Sequence, residues 1–515
     1  MTMFKVAEIF SDGLVFQRKK NIQVFGTAEA TDRIRVQFFD HHGNLMDEGS
    51  TKANLNNQWT AIMGPEEAAT GIKMVVTNQS SYEKIIVSDV SIGEVWLAGG
   101  QSNMEFFNKY EKDWKDTKNL PANPNIHFYN VPQRAFEGHD SHNSEGRDGY
   151  GKWLKDKEQG YENFSAIGYG FARKIQEQLN VPVAIIGCNW GGTTASAWVP
   201  TDVLEEGDLD VYLREYEKAI TAKNPITLRS QSLMAWDEID RPDSYKSFEP
   251  LLYGKDRDWQ LNFMINDDGV EVPMGPYNEN RPGGLYETML SSVIPYSIQG
   301  VLWYQGESDA GERARLYNKL LAGLINSWRE AWEDDFPFLI VQLAPFGKWL
   351  ACENDGYCEV RCQQQKVADT MENVYMASIM DLGSYYDIHP KEKMEIARRL
   401  SLLALKHVYN CPIHIQVDSP RIDKAYATDS KLILTFTNAN KLTLDDQDNT
   451  IKVTVDNNNL TPSELSVSDN SLILKLPMEV EPAEKIQVSM GWDDYAVINI
   501  KNEDGLPIAP FTLTL

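Results

Sequence analysis

The chain has 515 residues, too many for one ordinary core and enough for roughly two to four domains. Its hydrophobic fraction of 42% and charged fraction of 24% are those of a soluble globular protein, and a net charge of −26 sets its surface against polyanions, so nucleic acid is not an expected partner. No run approaches the roughly 18–20 apolar residues needed to cross a bilayer, so no membrane is expected, and the opening MTMFKVAEIFSDG lacks an apolar leader core, which points to a cytoplasmic protein.

Residues 1 to about 90 read as strands. IQVFGTA, RIRVQFFD and IKMVVTN gather β-formers, with turn signals such as HHGN and NLNNQ between them. This predicts an N-terminal β module of the sandwich kind. From residue 91 the pattern changes, and short apolar runs alternate with helical stretches. The runs are Val95–Ala98, Val183–Ile186, Val301–Tyr304, Phe338–Leu343 and Tyr375–Met380. Between them lie FSAIGYGFARKIQEQLN, LYETMLSSVIPYSIQ and segments around Ala310–Trp332 and Arg361–Met371, and KEKMEIARRLSLLALKHVY comes after the last run. Alternation of this kind predicts an α/β domain over residues 91–410, a flavodoxin-like parallel five-stranded sheet with helices on both faces. Residues of about 202–284 break the pattern with GDLD, RPDSYKS, NDDGVEV and NENRPGG, and read as an acidic, aromatic, turn-rich insertion. From Cys411 the chain is β again through IHIQVDS, KLILTFT, TIKVTV, SLILKL and KIQVSM, a second β module over 411–515. The five cysteines form no disulfide framework. Cys352, Cys358 and Cys362 cluster loosely, but their spacing fits no usual zinc pattern, so plain thiols are expected.

In an open parallel sheet, ligands bind beyond the carboxyl ends of the strands. The residues just past each apolar run are therefore informative. VWLA leads to GGQSN at Gly99–Asn103, and VAIIG to CNWGGTT at Cys188–Thr194. VLWY leads to QGESD at Gln305–Asp309, and YMASIM to DLGSYYDIHP at Asp381–Pro390. The four ends thus offer a serine, a glycine pair, an amide with a carboxylate, and an Asp-x-His. These are the parts of acyl-transfer catalysis: nucleophile, oxyanion donors, base and orienting acid. In an extended chain, which the adjoining proline favours, Asp387 and His389 would face the same way. The bland alternatives are specific. Ser102 could be a helix N-cap, the glycine pairs simple turns, Glu307 a structural ion pair, and His389 the start of a helix-leading turn. Trp190, Trp198, Trp303 and Tyr304 could stack on a sugar ring or belong to the core.

Four segments carry a resemblance. GQSNM at Gly100–Met104, WGGT at Trp190–Thr193, WYQGES at Trp303–Ser308 and DIHP at Asp387–Pro390 resemble the blocks of SGNH-type carbohydrate esterases, and the sialate O-acetylesterase-like group in particular. SDGLVFQR at Ser11–Arg18 and GLPIAPF at Gly505–Phe511 are similar to that group's two ends, so the likeness covers nearly the whole chain. The resemblance implies Ser102 as nucleophile and His389 as general base. It implies oxyanion donors at the Ser102 amide, a glycine of the Gly191-Gly192 pair and the Gln305 side chain. It implies no metal and no cofactor. The wider pattern sets the acid three residues before the histidine, where this chain has Tyr386. Asp387 is two before, with Asp381 and Glu307 as alternatives. The expected activity is hydrolysis of sugar O-acetyl esters, with an O-acetylated sialic acid first and acetylated xylan, xyloglucan or mannan oligosaccharides as alternatives. A non-catalytic glycan-binding protein is the remoter reading. A general lipase or peptidase would want a GxSxG elbow, which Ser102 lacks. Oligomeric state leaves no mark in the sequence.

Overall fold

A computed structural model describes residues 3–139, 149–240, 270–349, 352–353, 356–445, 450–456, 458–479 and 485–515. They fall into two compact units. One is drawn from Met1–Lys255, Asp268–Trp303 and Ala322–Phe338, the other from Tyr304–Leu321 and Leu339–Leu515.

The first unit begins as β-structure. Ile22–Thr27 lies between Lys5–Val6 and Gln58–Met63 in one antiparallel sheet, and Arg33–Phe39 lies between Leu45–Lys52 and Ala69–Asn78 in a second. Burial alternates along these strands, as in Gln58–Met63, because each sheet keeps one face dry. The strand Lys84–Gly100 then runs unbroken for 17 residues. Its first half pairs antiparallel with Ala69–Asn78, and Glu94–Gly100 pairs parallel with Val183–Asn189. Gln17 and Arg18 of the SDGLVFQR motif brace the join. The Gln17 Oε1 accepts the Val95 N–H at 2.8 Å, and Arg18 Nε meets the Glu94 carboxylate at 2.5 Å.

The α/β sheet of this unit has the order Trp153–Lys155, Ile126–Asn130, Val183–Asn189, Lys84–Gly100, Gly300–Tyr304. All five predicted apolar runs fall on strands, the last two on Phe338–Val341 and Val374–Ala377 of the second unit. Ile126–Asn130, parallel to Val183–Asn189, was not among them. The central strands are buried without alternation, as expected where both faces are covered. Helix Ala166–Leu179 supplies one cover. Ser165 caps it by accepting the Gly168 N–H at 3.1 Å, Asn180 ends it at φ 51°, and Phe171 packs edge-on against Trp96 at 5.1 Å.

Two expectations change. The segment LYETMLSSVIPYSIQ holds only a short helix, Gly284–Thr288, and a 3₁₀ turn at Leu290–Ser292. The supposed turn-rich insertion carries two helices, Asp210–Thr221 and Pro225–Ile239, and keeps its turns in the stretch 270–283 that holds most of NENRPGG. Asn224 caps the second of these and Pro225 opens it, a start signal that the surrounding charges obscured. RPDSYKS and most of NDDGVEV lie outside the described residues.

The second unit carries helices Tyr357–Thr370 and Lys393–Leu403 and the C-terminal β-structure. There, two four-stranded sheets enclose a core of Leu432, Leu434, Val453, Leu472, Val488 and Ile498. Ile508 of the GLPIAPF motif joins that core. Cys188, Cys358, Cys362 and Cys411 are free thiols.

Candidate active site

The end of the long strand turns at Gly100, whose φ of 135° suits glycine. Gln101 takes the cap position of a four-residue helix, Ser102–Glu105, so Ser102 is its first residue and not its N-cap. The hydroxyl-bearing residue is half-buried. The WGG loop lies directly against it. The Trp190 N–H donates to the Gly100 carbonyl at 3.1 Å, and Asn189 Nδ2 to the Ala98 carbonyl at 3.0 Å. A Cβ placed on Gly191 would come within 3.3 Å of the Ser102 Cβ, a tight contact that glycine avoids as the two loops close. The structure thus brings Ser102 and the Gly191-Gly192 pair together.

It also separates the two glycines. The Gly191 N–H donates to Glu105 Oε2 at 2.7 Å, while Gly192, at φ 76°, is exposed with open space beside its α-carbon. Gly191 is therefore a hinge held by a carboxylate, and it is not the expected oxyanion donor. Glu105 is a residue that sequence reasoning missed. Its other oxygen accepts Gln133 Nε2 at 3.1 Å and the Tyr150 hydroxyl at 3.4 Å, and Gln133 Nε2 also reaches the Asn189 carbonyl at 3.1 Å. An acidic residue in a first helical turn reads as a dipole partner, which hides this role.

In the second unit, Gln305 is fully buried. Its Nε2 donates to Asp309 Oδ2 at 2.5 Å, and the Tyr317 hydroxyl reaches its Oε1 at 2.8 Å. An acceptor-only carboxylate on one side and a hydroxyl donor on the other fix which end of the amide is nitrogen. Its backbone carbonyl accepts Gln364 Nε2 at 3.2 Å. Gly306 comes next at φ 143°, where a Cβ would meet Val360 at 2.9 Å.

Asp387 and His389 lie side by side, but through a turn and not an extended strand. Asp387 Oδ1 accepts the His389 backbone N–H at 2.9 Å, an i to i+2 turn, and stands 3.7 Å from His389 Nδ1. The second oxygen meets Lys391 Nζ at 2.9 Å. The Trp349 ring stands edge-on to the imidazole at 5.1 Å. Burial pushes His389 down to about 4 against the pull of Asp387, with Lys391 and Lys393 adding to the fall. Burial opposes the Asp387 charge, but His389 and Lys391 outweigh it and hold the carboxyl below its ordinary value. Lys393, also fully buried, is lowered to about 7 by burial and by Lys391, with Glu307 opposing, and its ammonium sits over the Tyr304 ring at 5.3 Å.

The reserve acids have other work. Asp381 is gripped by Arg399 through two contacts of 2.7 and 2.8 Å and by Lys501 at 3.0 Å. That is a buried structural ion pair, so Asp381 is not placed as an orienting acid. Glu307 opens the 3₁₀ turn Glu307–Asp309, and its charge acts on Lys393 and Tyr304. Among the aromatics, Trp198, Trp303 and Tyr304 are fully buried and Trp190 is 8% exposed, so they are core residues and not sugar platforms.

Residues 275–400 match the family described as carbohydrate esterase, sialic acid-specific acetylesterase, a stretch that holds Gln305, Glu307, Asp387 and His389. The sialate O-acetylesterase of Rattus norvegicus is 25% identical over 443 residues, covering 79% of this chain and 74% of its own. That of Homo sapiens is 24% identical over 487 residues, covering 87% and 79%. Among solved structures, a carbohydrate acetylesterase from Xanthomonas citri covers 99% of both chains at 23% identity with a TM-score of 0.72, a likeness of fold. The chain is thus similar over most of its length to sialate O-acetylesterases, and its residues 275–400 carry the match to that family of carbohydrate esterases.

Proposed function

We propose that this esterase removes acetyl groups from the hydroxyls of an O-acetylated sialic acid through an acetyl-serine intermediate. The observation that carries the reading is the Ser102 turn, a half-buried serine at a strand end with a glycine loop packed onto its Cβ. In this mechanism Ser102 Oγ attacks the acetyl carbonyl while His389 takes its proton. The charge that develops on the carbonyl oxygen is met by the Ser102 and Gly192 amides and the Gln305 side chain. The C–O bond to the sugar then breaks, and His389 returns the proton to the departing sugar oxygen. Water, deprotonated by His389, attacks the acetyl-serine, and acetate leaves as Ser102 recovers its proton. The same reading gives the chain an N-terminal β module to residue 90, an SGNH-type domain over 91–410 with the five apolar runs as its parallel sheet, and a C-terminal β module from 411.

Acetate release across a panel of acetylated sialosides and acetylated xylan, xyloglucan and mannan oligosaccharides tests it. The sialosides are expected to turn over at least about tenfold faster, the scale of one good substrate contact. Faster turnover of the plant sugars would end the sialic acid assignment, and no acetate from any of them would end the esterase mechanism.

Glu105 gives a second expectation. Glu105→Ala removes the acceptor that holds Gly191 and lets the Gly192 amide drift, so kcat on 4-nitrophenyl acetate should fall about 10- to 100-fold. Glu105→Gln keeps one acceptor oxygen but sets its new N–H₂ among donors, and should lose less. Equal losses in both variants, measured against unchanged thermal midpoints, would show that the Gly191 bond does not matter.

A further inference from the structure

We propose that Lys391 is a positioning residue, holding the Asp387 carboxylate against the His389 turn and keeping the imidazole uncharged. This rests on His389 being the general base. The geometry departs from a simple acid–histidine pair. Asp387 Oδ1 is already bonded to the His389 backbone N–H at 2.9 Å, and its 3.7 Å separation from Nδ1 is beyond hydrogen-bond reach. The strong side-chain contact made by this carboxylate is the one to Lys391, at 2.9 Å. Lys391 and Asp387 are 19% and 13% exposed, so this is not a solvent-screened surface pair. One carboxylate therefore serves two cations in waiting, an ammonium already charged and an imidazole that would become so. While Lys391 is charged it draws on the Asp387 field that would otherwise stabilise an imidazolium.

The other charged groups around the base act in the same sense or at one remove. Lys393, at the start of helix Lys393–Leu403, disfavours the imidazolium directly. Glu307 and Glu392 act on Lys393, and Glu392 also acts on Lys391. The result is a base that stays neutral well into acid, with the Trp349 ring edge-on against it. A lysine that merely braced the turn would affect the amount of active enzyme, not the pH at which it loses activity.

The test is the pH dependence of kcat/KM on 4-nitrophenyl acetate for the full chain and its Lys391→Met, Lys391→Gln and Lys391→Arg variants. Removing the charge should move the acid limb up by about one pH unit or more in both neutral variants, the usual scale for a charge within 4–6 Å. Gln keeps a donor for Asp387, so it guards against a Met variant that fails to fold, and Arg should leave the limb near that of the parent. Neutral variants whose acid limbs coincide with the parent's overturn the proposal, even if their kcat falls. His389→Ala, run alongside, separates the two failures: a variant as active as the parent would remove His389 as base, whereas an inactive one with unmoved Lys391 limbs would remove only the role of Lys391.

Discussion

Ser102→Ala is expected to lower kcat on 4-nitrophenyl acetate by about 10⁴-fold or more while leaving the thermal midpoint within a degree or two. The loss is large because the acyl-enzyme route needs an oxygen nucleophile at that point, and alanine offers none. Residual turnover would come from the oxyanion donors acting on water. Stability should hold because alanine keeps the Cβ that packs on Gly191 and is a good residue for a first helical turn. The helix cap is at Gln101, so no capping bond from position 102 is lost. A burst of 4-nitrophenol, released before the acetyl-serine is hydrolysed, supplies the positive counterpart in the parent enzyme. A Ser102→Ala enzyme within about tenfold of the parent would dispose of the covalent mechanism.

His389→Ala should cost a similar factor, about 10⁴-fold or more in kcat, since nucleophile and base act as one unit. Its companion observation is the pH profile of the parent. Burial lowers His389 to about 4, so the neutral, proton-accepting imidazole persists below the pH at which an ordinary histidine charges. The acid limb of kcat/KM should therefore fall near about 4 rather than about 6.5. The same shift sets the sign for stability. Between those two values the unfolded chain binds the proton and the folded chain does not, so stability rises with pH across the window and is level above it. His389→Ala should flatten that rise. Because the side chain is 3% exposed, its removal also leaves a cavity, and His389→Asn serves as a smaller perturbation. An acid limb at the ordinary histidine value, unchanged in either variant, would detach the limb from His389.

The sequence was most legible where chemistry and periodicity coincide. The apolar runs became strands because continuous Val/Ile/Leu segments bounded by turns suit a sheet covered on both faces. Ile126–Asn130 escaped notice because it is short and carries a histidine and an asparagine, though its residues are all buried. There His127 hides its polarity by bonding Gly13 O at 2.7 Å, a partner 114 positions away. The same kind of long-range pairing decided between carboxylates. Nothing local marks Asp381 as the partner of Arg399, 18 residues on, or of Lys501. The glycine pair told the same story at closer range. WGG promises a close approach, but only the Glu105 bond distinguishes Gly191 from Gly192. For the aromatics the structure takes the core side of the two readings, since large rings beside a sheet are mostly buried.

The 17-residue strand Lys84–Gly100 belongs to two sheets at once, and its last residue is the turn that presents Ser102. The antiparallel ladder ends at Ile92 and the parallel one begins at Glu94, so the two meet within one strand. The amides leading to the nucleophile are therefore protected by the first ninety residues as much as by the α/β sheet. In folding terms the N-terminal module is no detachable appendage: it belongs to the same cooperative unit as the serine turn, and its stability sets a floor under the precision with which that turn is held.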